Sequence, residues 1–446
     1  MIRPGQSVGI VGGGWLGVTL ALRLAEAGVV VTMFEAAPEL GGLTASWSIP
    51  TPTGDVTWDR YYHVTLASDR ALRRLLADVG LDDAIAWTST KTGYFSNGRL
   101  SPVSTPREFL ALPGLSPLAK FRLAATILRG RTVRDWRRLE AMTVERWLTR
   151  WSGAETFRRF WVPLLEAKLG DAWTDANAAF IWATIQRLTA ARRADIREER
   201  FGAVPGGYAH VLATIAARLT ELGATVALGV RVARVEQRAD ARVAVTTDAT
   251  SEDFDHVIIT TTPRAAAALC PQLEDATRAR MTAVRYRGVV CASVVLRRPL
   301  SPYYLTYLMD ELPFTAIVEM TTMIPPTWVG GYTLVYLPRY CAPDDPMFEA
   351  PDAEIEAAFL AGLRDVHAVA PDDVVAVRIA RAREVFPVPV REYSALVPPI
   401  ATGLSGVHFV SSAQIINGTL NVNETVTRAE LALTELGVHP APATRQ

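Results

Sequence analysis

Cysteine is nearly missing from this chain. Cys270, Cys291 and Cys341 are the three in 446 residues. They lie far apart and form no CxxC pair, which argues against a zinc ribbon, a redox dithiol and a disulfide framework. Excess charge is missing too. Lys+Arg and Asp+Glu are both 46, so the net charge is zero, whereas a general nucleic-acid binder carries a basic surplus. The apolar run near the start, Val8 to Leu22, is shorter than the ~20 residues of a membrane span. It lacks the basic leader and cleavage site of a signal peptide. Gly12, Gly13, Gly14 and Gly17 interrupt it, so a buried strand turning into a helix explains it better. The expectation is a cytoplasmic protein, with peripheral contact to a membrane left open. Internal repeats and low-complexity tracts are absent.

What is present is a folded composition, 49% hydrophobic and 21% charged, which excludes a mainly disordered chain. At ~150 residues per domain the length allows two or three domains. Residues 7–11 read as a buried strand, Gly12–Gly17 as a turn, Val18–Ala27 as a helix and Val29–Phe34 as a second strand, β-branched throughout as parallel sheets require. This is a βαβ unit. Helices are expected over 68–80, most of 107–195, 208–222 and 352–366. Strands are expected over 225–228, 230–236, 242–247, 257–261, much of 284–340, 374–384 and 407–411. A last helix is expected over 424–436.

Gly12-Gly13-Gly14-Trp15-Leu16-Gly17 fits GxGxxG, follows the first strand, opens the helix, and is matched by Glu35 ending the second strand. In that context the pattern is a dinucleotide fingerprint. Gly12 permits the turn, Gly14 lets a pyrophosphate approach the helix N-terminus, and Gly17 lets helix and strand pack. The Glu35 carboxylate suits ribose hydroxyls and repels a 2′-phosphate, which disfavours NADP. Beyond Glu35 and Ala36 comes a second pair, Gly41-Gly42. Another close-approach backbone there suits a long cofactor lying extended, as FAD does. No side chain stands out for covalent attachment, so the FAD is expected to be non-covalent.

These stretches resemble the superfamily of FAD-dependent amine oxidases, protoporphyrinogen oxidases and carotenoid (phytoene) desaturases. Val56-Thr57-Trp58-Asp59-Arg60-Tyr61-Tyr62-His63 resembles its segment beside the flavin ring, and Val204-Pro205-Gly206-Gly207-Tyr208 its PGG motif. Val230–Val235 resembles the strand that meets the adenine, and Gly418–Glu424 the C-terminal turn and helix start near the ribityl chain. The resemblance implies cofactor contacts from Gly12, Gly14, Trp15, Leu16, Gly17, Glu35, Ala36, Gly42, Leu43, Thr44, Tyr62, Val232, Asn421, Val422 and Asn423. Two departures stand out. Leu43 replaces an Arg that the family often carries, and Ser411-Ser412-Ala413-Gln414 replaces an Ala-Gly motif.

The chain has one dinucleotide fingerprint and no redox dithiol, which leaves a single flavin to carry the chemistry. The resemblance implies a substrate C–H or N–H laid against the ring, with hydride transfer to it. His63 and Arg60 are the candidate catalytic residues. His63 either orients substrate and moves protons near neutral pH or is a loop histidine. Arg60 either binds an anionic group or pairs with Asp55 or Asp59. Among Tyr303, Tyr304, Tyr307, Phe314, Trp328, Tyr332, Tyr336 and Tyr340, at least one is expected to face substrate. Amine oxidation is disfavoured, because residues 404–417 offer one aromatic, Phe409, where amine oxidases of the family often place a pair. Residues 107–159 hold twelve Lys/Arg against five acids. With an amphipathic helix over Leu115–Leu128, they either meet an anionic membrane or pair with the acidic stretch 344–373.

The resulting expectation is an α/β fold: a Rossmann-type FAD-binding domain (1–90, 200–280, 396–446) interleaved with a discontinuous α+β substrate domain (91–199, 281–395). The expected function is a FAD-dependent oxidoreductase that dehydrogenates a largely apolar or ring-containing small molecule. A flavin-dependent isomerase or mutase and a non-catalytic flavin-binding protein are the alternatives. The expected partner is a small-molecule substrate and not nucleic acid.

Overall fold

The computed structural model describes residues 1–190, 200–416 and 419–438. Ser7–Val11 lies at the centre of a five-stranded parallel sheet, in the order Thr225–Leu228, Val30–Glu35, Ser7–Val11, His256–Ile259, Val407–Phe409. Successive side chains of a strand point to opposite faces. Val8, Ile10, Val31 and Met33 therefore meet a layer of helices, Trp15–Glu26, Arg70–Asp78, Gly207–Glu221 and Val422–Glu435. Val11, Phe34, Val257 and Ile259 meet a three-stranded antiparallel meander, Val232–Gln237, Val243–Thr247 and Ser251–Phe254. The sheet is apolar on both faces, as its β-branched strands require.

The first helix begins at Trp15, earlier than the expected Val18, because the Gly14 carbonyl already accepts the first helical bond from Val18 N at 2.9 Å. The glycine turn is correspondingly shorter, and Gly17 belongs to the helix.

A second, seven-stranded sheet runs in the order Val374–Pro387, Tyr286–Leu296, Thr333–Cys341, Ala316–Glu319, Tyr303–Leu308, Lys91–Ser96, Arg99–Pro102. One face, with Val294 and Leu337, is covered by Phe359 and Leu363 of the helix Asp352–His367. The other face, with Val289, Cys291, Tyr304 and Tyr336, turns to a hairpin of Ser46–Ile49 and Val56–Asp59. The hairpin and the edge strands at 91–102 have no counterpart in the sequence reading. A helical lobe of Pro117–Thr132, Val144–Thr156, Val162–Leu169 and Ala178–Ala190 packs around Leu123, Trp147, Leu148 and Leu165. Residues 191–195, expected to extend that lobe, lie outside the described residues.

Asp59 ties the hairpin to both neighbours. Its carboxylate Oδ1 accepts from Ser46 Oγ and Tyr208 N, each at 3.1 Å, and its backbone carbonyl accepts from Tyr336 Oη at 2.5 Å. Burial pushes this carboxyl up to about 7 from the ordinary 3.8, against the two hydrogen bonds, which pull it down. A carboxyl raised on folding stabilises the protein fully only below its unfolded value, and that contribution is lost as pH rises through the folded value. Asp59→Asn keeps the acceptor and removes the titration. Between pH 5 and pH 8 the wild type should lose on the order of 2–3 kcal/mol relative to this variant, read from urea unfolding at each pH. Parallel pH profiles for the two proteins would show that Asp59 is not buried as an acid.

Candidate functional site

The glycine loop sits at the carboxyl end of the central strand, beside the switch point where neighbouring strands leave in opposite directions. Gly12 has φ +114°, and a Cβ there would lie 2.6 Å from Thr260 Oγ1. That hydroxyl is fixed by donating to the Val11 and Gly12 carbonyls, both at 3.0 Å. A Cβ on Gly17 would lie 1.9 Å from the Gly12 carbonyl oxygen. Gly14 is the opposite case: a Cβ there would meet nothing within 4 Å, and no side chain caps the helix that starts after it. The first-turn amides therefore face open space, a geometry that favours an anion. Gly41 N donates to the Gly13 carbonyl at 2.8 Å, and a Cβ on Gly42 would come 3.4 Å from Gly14 Cα. The two glycine pairs thus form one cradle.

Glu35 is fixed at the loop. Its carboxylate oxygens accept from Gly13 N at 2.6 Å and Ala37 N at 2.7 Å, each keeping a further lone pair. Val230 N donates to the Glu35 carbonyl at 2.9 Å and Gly229 N to the Ala37 carbonyl at 2.8 Å. These bonds bring the Val232 strand beside Glu35 and Ala36. Trp15 and Leu16 are buried, and Trp15 Nε1 donates to Thr44 Oγ1 at 2.7 Å. The Thr44 hydroxyl donates in turn to the Gly41 carbonyl at 3.0 Å. The side chains of Trp15 and Thr44 are thus braces behind the cradle, and Leu43 beside them is half-buried.

In the C-terminal stretch the side chains serve the packing of helices. Asn421 Oδ1 caps its own helix by accepting from Glu424 N at 3.0 Å. Asn423 Oδ1 accepts from Ala71 N at 3.0 Å and Leu72 N at 3.2 Å, capping the helix at Arg70–Asp78. Val422 is buried among the helices. The asparagine oxygens and the valine side chain are therefore committed to helix packing. Gly418 lies outside the described residues.

Of the proposed catalytic pair, Arg60 pairs with Glu39, not with Asp55 or Asp59, and its Nε donates to the Ser46 carbonyl at 3.3 Å. His63 Nδ1 lies 3.0 Å from the Tyr61 carbonyl, which accepts only a protonated Nδ1, and its ring meets Tyr208 edge-on at 5.7 Å. Burial pulls the imidazole down to about 4, outweighing that hydrogen bond. This favours the neutral imidazole, and the bond to Tyr61 agrees with the alternative of a loop histidine. Asp59, which lines the same small cavity, holds the near-neutral range instead.

Tyr62 turns to the large sheet. Its hydroxyl lies 3.0 Å from Tyr340 Oη, and its ring 6.4 Å from that of Tyr336. Lys168 stands over this pair, with Nζ 3.8 Å from the Tyr340 ring centre and 5.0 Å from that of Phe386. Burial lowers its pKa, opposed by Tyr62. No carboxylate pairs with it among the described residues. Sequence reading missed Lys168, although the signal existed: it is one of three lysines in the chain, with Lys91 and Lys120, amid many arginines. Of the two, lysine and not arginine can shed its charge on burial. Phe409, the aromatic weighed for amine chemistry, is buried in the core under the parallel sheet.

A family model of flavin containing amine oxidoreductases matches residues 17–421. The chain belongs to that family. FAD is its cofactor, and the fold is the α/β arrangement of FAD-dependent oxidases. A protein assigned as a protoporphyrinogen oxidase from Exiguobacterium sp. 255-15 superposes with a TM-score of 0.75 at 16% identity, over 98% of this chain and 99% of that one. Reduced UDP-galactopyranose mutase superposes with a TM-score of 0.74 at 15% identity, over 98% and 96%. Carotenoid phi-ring synthase of Streptomyces griseus is 40% identical over 77 residues, 17% of this chain and 15% of that protein's length.

The residues present fit FAD. The cradle is open where a pyrophosphate needs backbone, the helix N-terminus is uncapped, and Glu35 holds acceptors at its edge. Gly14→Val should therefore keep its melting temperature within a few degrees while losing bound FAD, because the added atoms enter ligand space only. Gly17→Val should fail to fold, because they enter the Gly12 carbonyl. Flavin absorbance and thermal melting of both variants check this. Wild-type FAD content in Gly14→Val would place the cofactor elsewhere.

Proposed function

We propose that the protein is a FAD-dependent oxidoreductase that dehydrogenates a largely apolar or ring-containing small molecule. The observation that carries this reading is the wall between the hairpin and the large sheet. It is built from Tyr62, Tyr304, Tyr336 and Tyr340, with Lys168 standing over Tyr340 and Phe386 at its edge. Such a lining buries an apolar body and orients it through few polar groups.

Bound FAD supplies a two-electron acceptor. The glycine cradle, Glu35 and the backbone near Val232 and Asn421–Asn423 would hold it. The tyrosine wall would exclude water, which strengthens each polar contact inside. Burial raises Tyr62 well above its ordinary range and Tyr340 to about 12, so both stay neutral hydrogen-bonding groups. The Tyr62–Tyr340 hydroxyl pair can pass hydrogen bonds to a substrate oxygen, with Lys168 Nζ supplying positive charge beside it. His63, neutral with Nδ1 held by Tyr61, would offer Nε2 as an acceptor. Arg60, engaged by Glu39, would position the hairpin and not touch substrate.

A flavin-dependent isomerase or mutase without net redox is the second reading. Its support is that a mutase shares this fold at the same TM-score as oxidases do. Anaerobic mixing with apolar and cyclic metabolites separates the two. Bleaching of the visible flavin absorbance by substrate, with a dehydrogenated product, is the expected result. Conversion only after chemical reduction, to a product of unchanged oxidation state, would replace the first reading by the second. Neither outcome with any candidate that binds would leave a flavin-binding protein without turnover.

A further inference from the structure

Half of the described chain's exposed large hydrophobic residues crowd onto the helical lobe: Leu110, Leu118, Phe121, Leu128 and Trp151, out of ten in all. Scattered exposed apolar residues need no explanation, whereas a contiguous patch does. The helix Pro117–Thr132 packs inward through Ala119, Leu123, Thr126 and Gly130. Leu118, Phe121 and Leu128 fall at helical spacing on its other side, with exposures of 63%, 72% and 58%. Lys120 Nζ donates to the Leu110 carbonyl, which joins Leu110 to the row. The Arg129 guanidinium stacks 5.2 Å above the Trp151 ring, which joins Trp151 at the other end.

The patch is rimmed by positive charge that the described residues largely leave without an ion pair. Of the five acids in residues 107–159, four have no ion pair among the described residues. Glu108 closes the cap at Thr105, Glu155 accepts from Ser116, and Glu140 is buried accepting from Ser394; Glu145 is exposed. Asp135 alone pairs with an arginine of the segment, Arg138 at 3.2 Å. The acidic stretch 344–373 is engaged elsewhere: Glu349 with Arg383, Asp352 with Arg381 and Asp373 with Arg298. The internal pairing considered for the basic segment is therefore not made among the described residues. Beside Trp151 a groove of about 460 Å³ is lined by Arg129, Arg134, Arg138 and Arg150 over the apolar floor of Leu139 and Met142, with one carboxylate, Asp135, which pairs with Arg138.

We propose that this lobe docks on an anionic phospholipid surface. Leu118, Phe121 and Leu128 enter the boundary between headgroups and acyl chains, Trp151 sits at the headgroup level, and the groove takes a lipid phosphate. Charge complementarity selects this occupant, because an apolar row framed by Arg129, Arg134 and Arg150, which have no ion pair among the described residues, matches an apolar layer capped by phosphates. The contact lies on the surface and does not span, since no helix among the described residues is long and apolar enough to cross a membrane.

The test uses the full-length flavoprotein with vesicles of phosphatidylcholine alone or mixed with phosphatidylserine. Co-sedimentation with the mixed vesicles at physiological salt, falling as salt rises, is expected. Arg129→Gln/Arg134→Gln/Arg150→Gln should weaken binding on the order of 100-fold, at about fivefold per arginine. Phe121→Ser/Leu128→Ser should weaken it at every salt concentration. All these side chains are exposed or line the open groove, so unchanged flavin absorbance and melting temperature confirm intact folding. Absence of binding even at low salt, equal binding to phosphatidylcholine alone, or wild-type binding by the arginine variant would each overturn the proposal. So would saturable binding of inorganic phosphate without vesicle binding, which would make the groove a site for a soluble anion.

Discussion

The close approach of Gly17 to the carbonyl oxygen of Gly12 is the contact on which the rest of the site depends. A Cβ at Gly17 would lie 1.9 Å from that oxygen, so only glycine lets the first helix seat against the end of the central strand. From that seating follow the uncapped helix N-terminus over Gly14, the amide of Gly13 aimed at Glu35, and the carbonyl of Gly13 aimed at Gly41. One tight contact thereby sets three features that a long dinucleotide needs: an open backbone, a fixed carboxylate and a second glycine pair held against the first.

The proposed reacting end depends on a different contact. The hairpin ending at Asp59 bridges the two sheets, through Tyr208 on the dinucleotide side and Tyr336 on the other. Tyr62 follows directly and meets Tyr340 and Lys168. The groups of unusual proton affinity gather around this bridge. Burial raises Asp59 and lowers His63 and Lys168, so desolvation works against the charged form of each in this aromatic setting.

The dinucleotide half was legible in the sequence because its signals are local. The glycine spacing, the two β-branched strands and Glu35 lie within about thirty residues, the span of one βαβ unit. The proposed reacting half was not, because its parts come from distant segments: Tyr62, Lys168 and Tyr340 are joined only by the fold. The same reason hid the partners of two side chains. For Arg60 the alternatives were an anionic group or a pairing with the nearby Asp55 or Asp59, yet the hairpin turns it to Glu39. The side chain of Asn423 caps a helix some 350 residues earlier in the chain, a partner that no local spacing announces. The hairpin itself was missed because Ser46–Asp59 carries no long alternation, and its strands of four residues each are defined by pairing.

The account turns on a non-covalent FAD in the glycine cradle, and the nucleotide that leaves the purified protein on denaturation tests this most directly. Chromatography of the supernatant should show free FAD, close to one per chain, with no flavin remaining on the precipitated polypeptide. Release of NAD, flavin retained covalently on the chain, or no nucleotide even after reconstitution with FAD would contradict it.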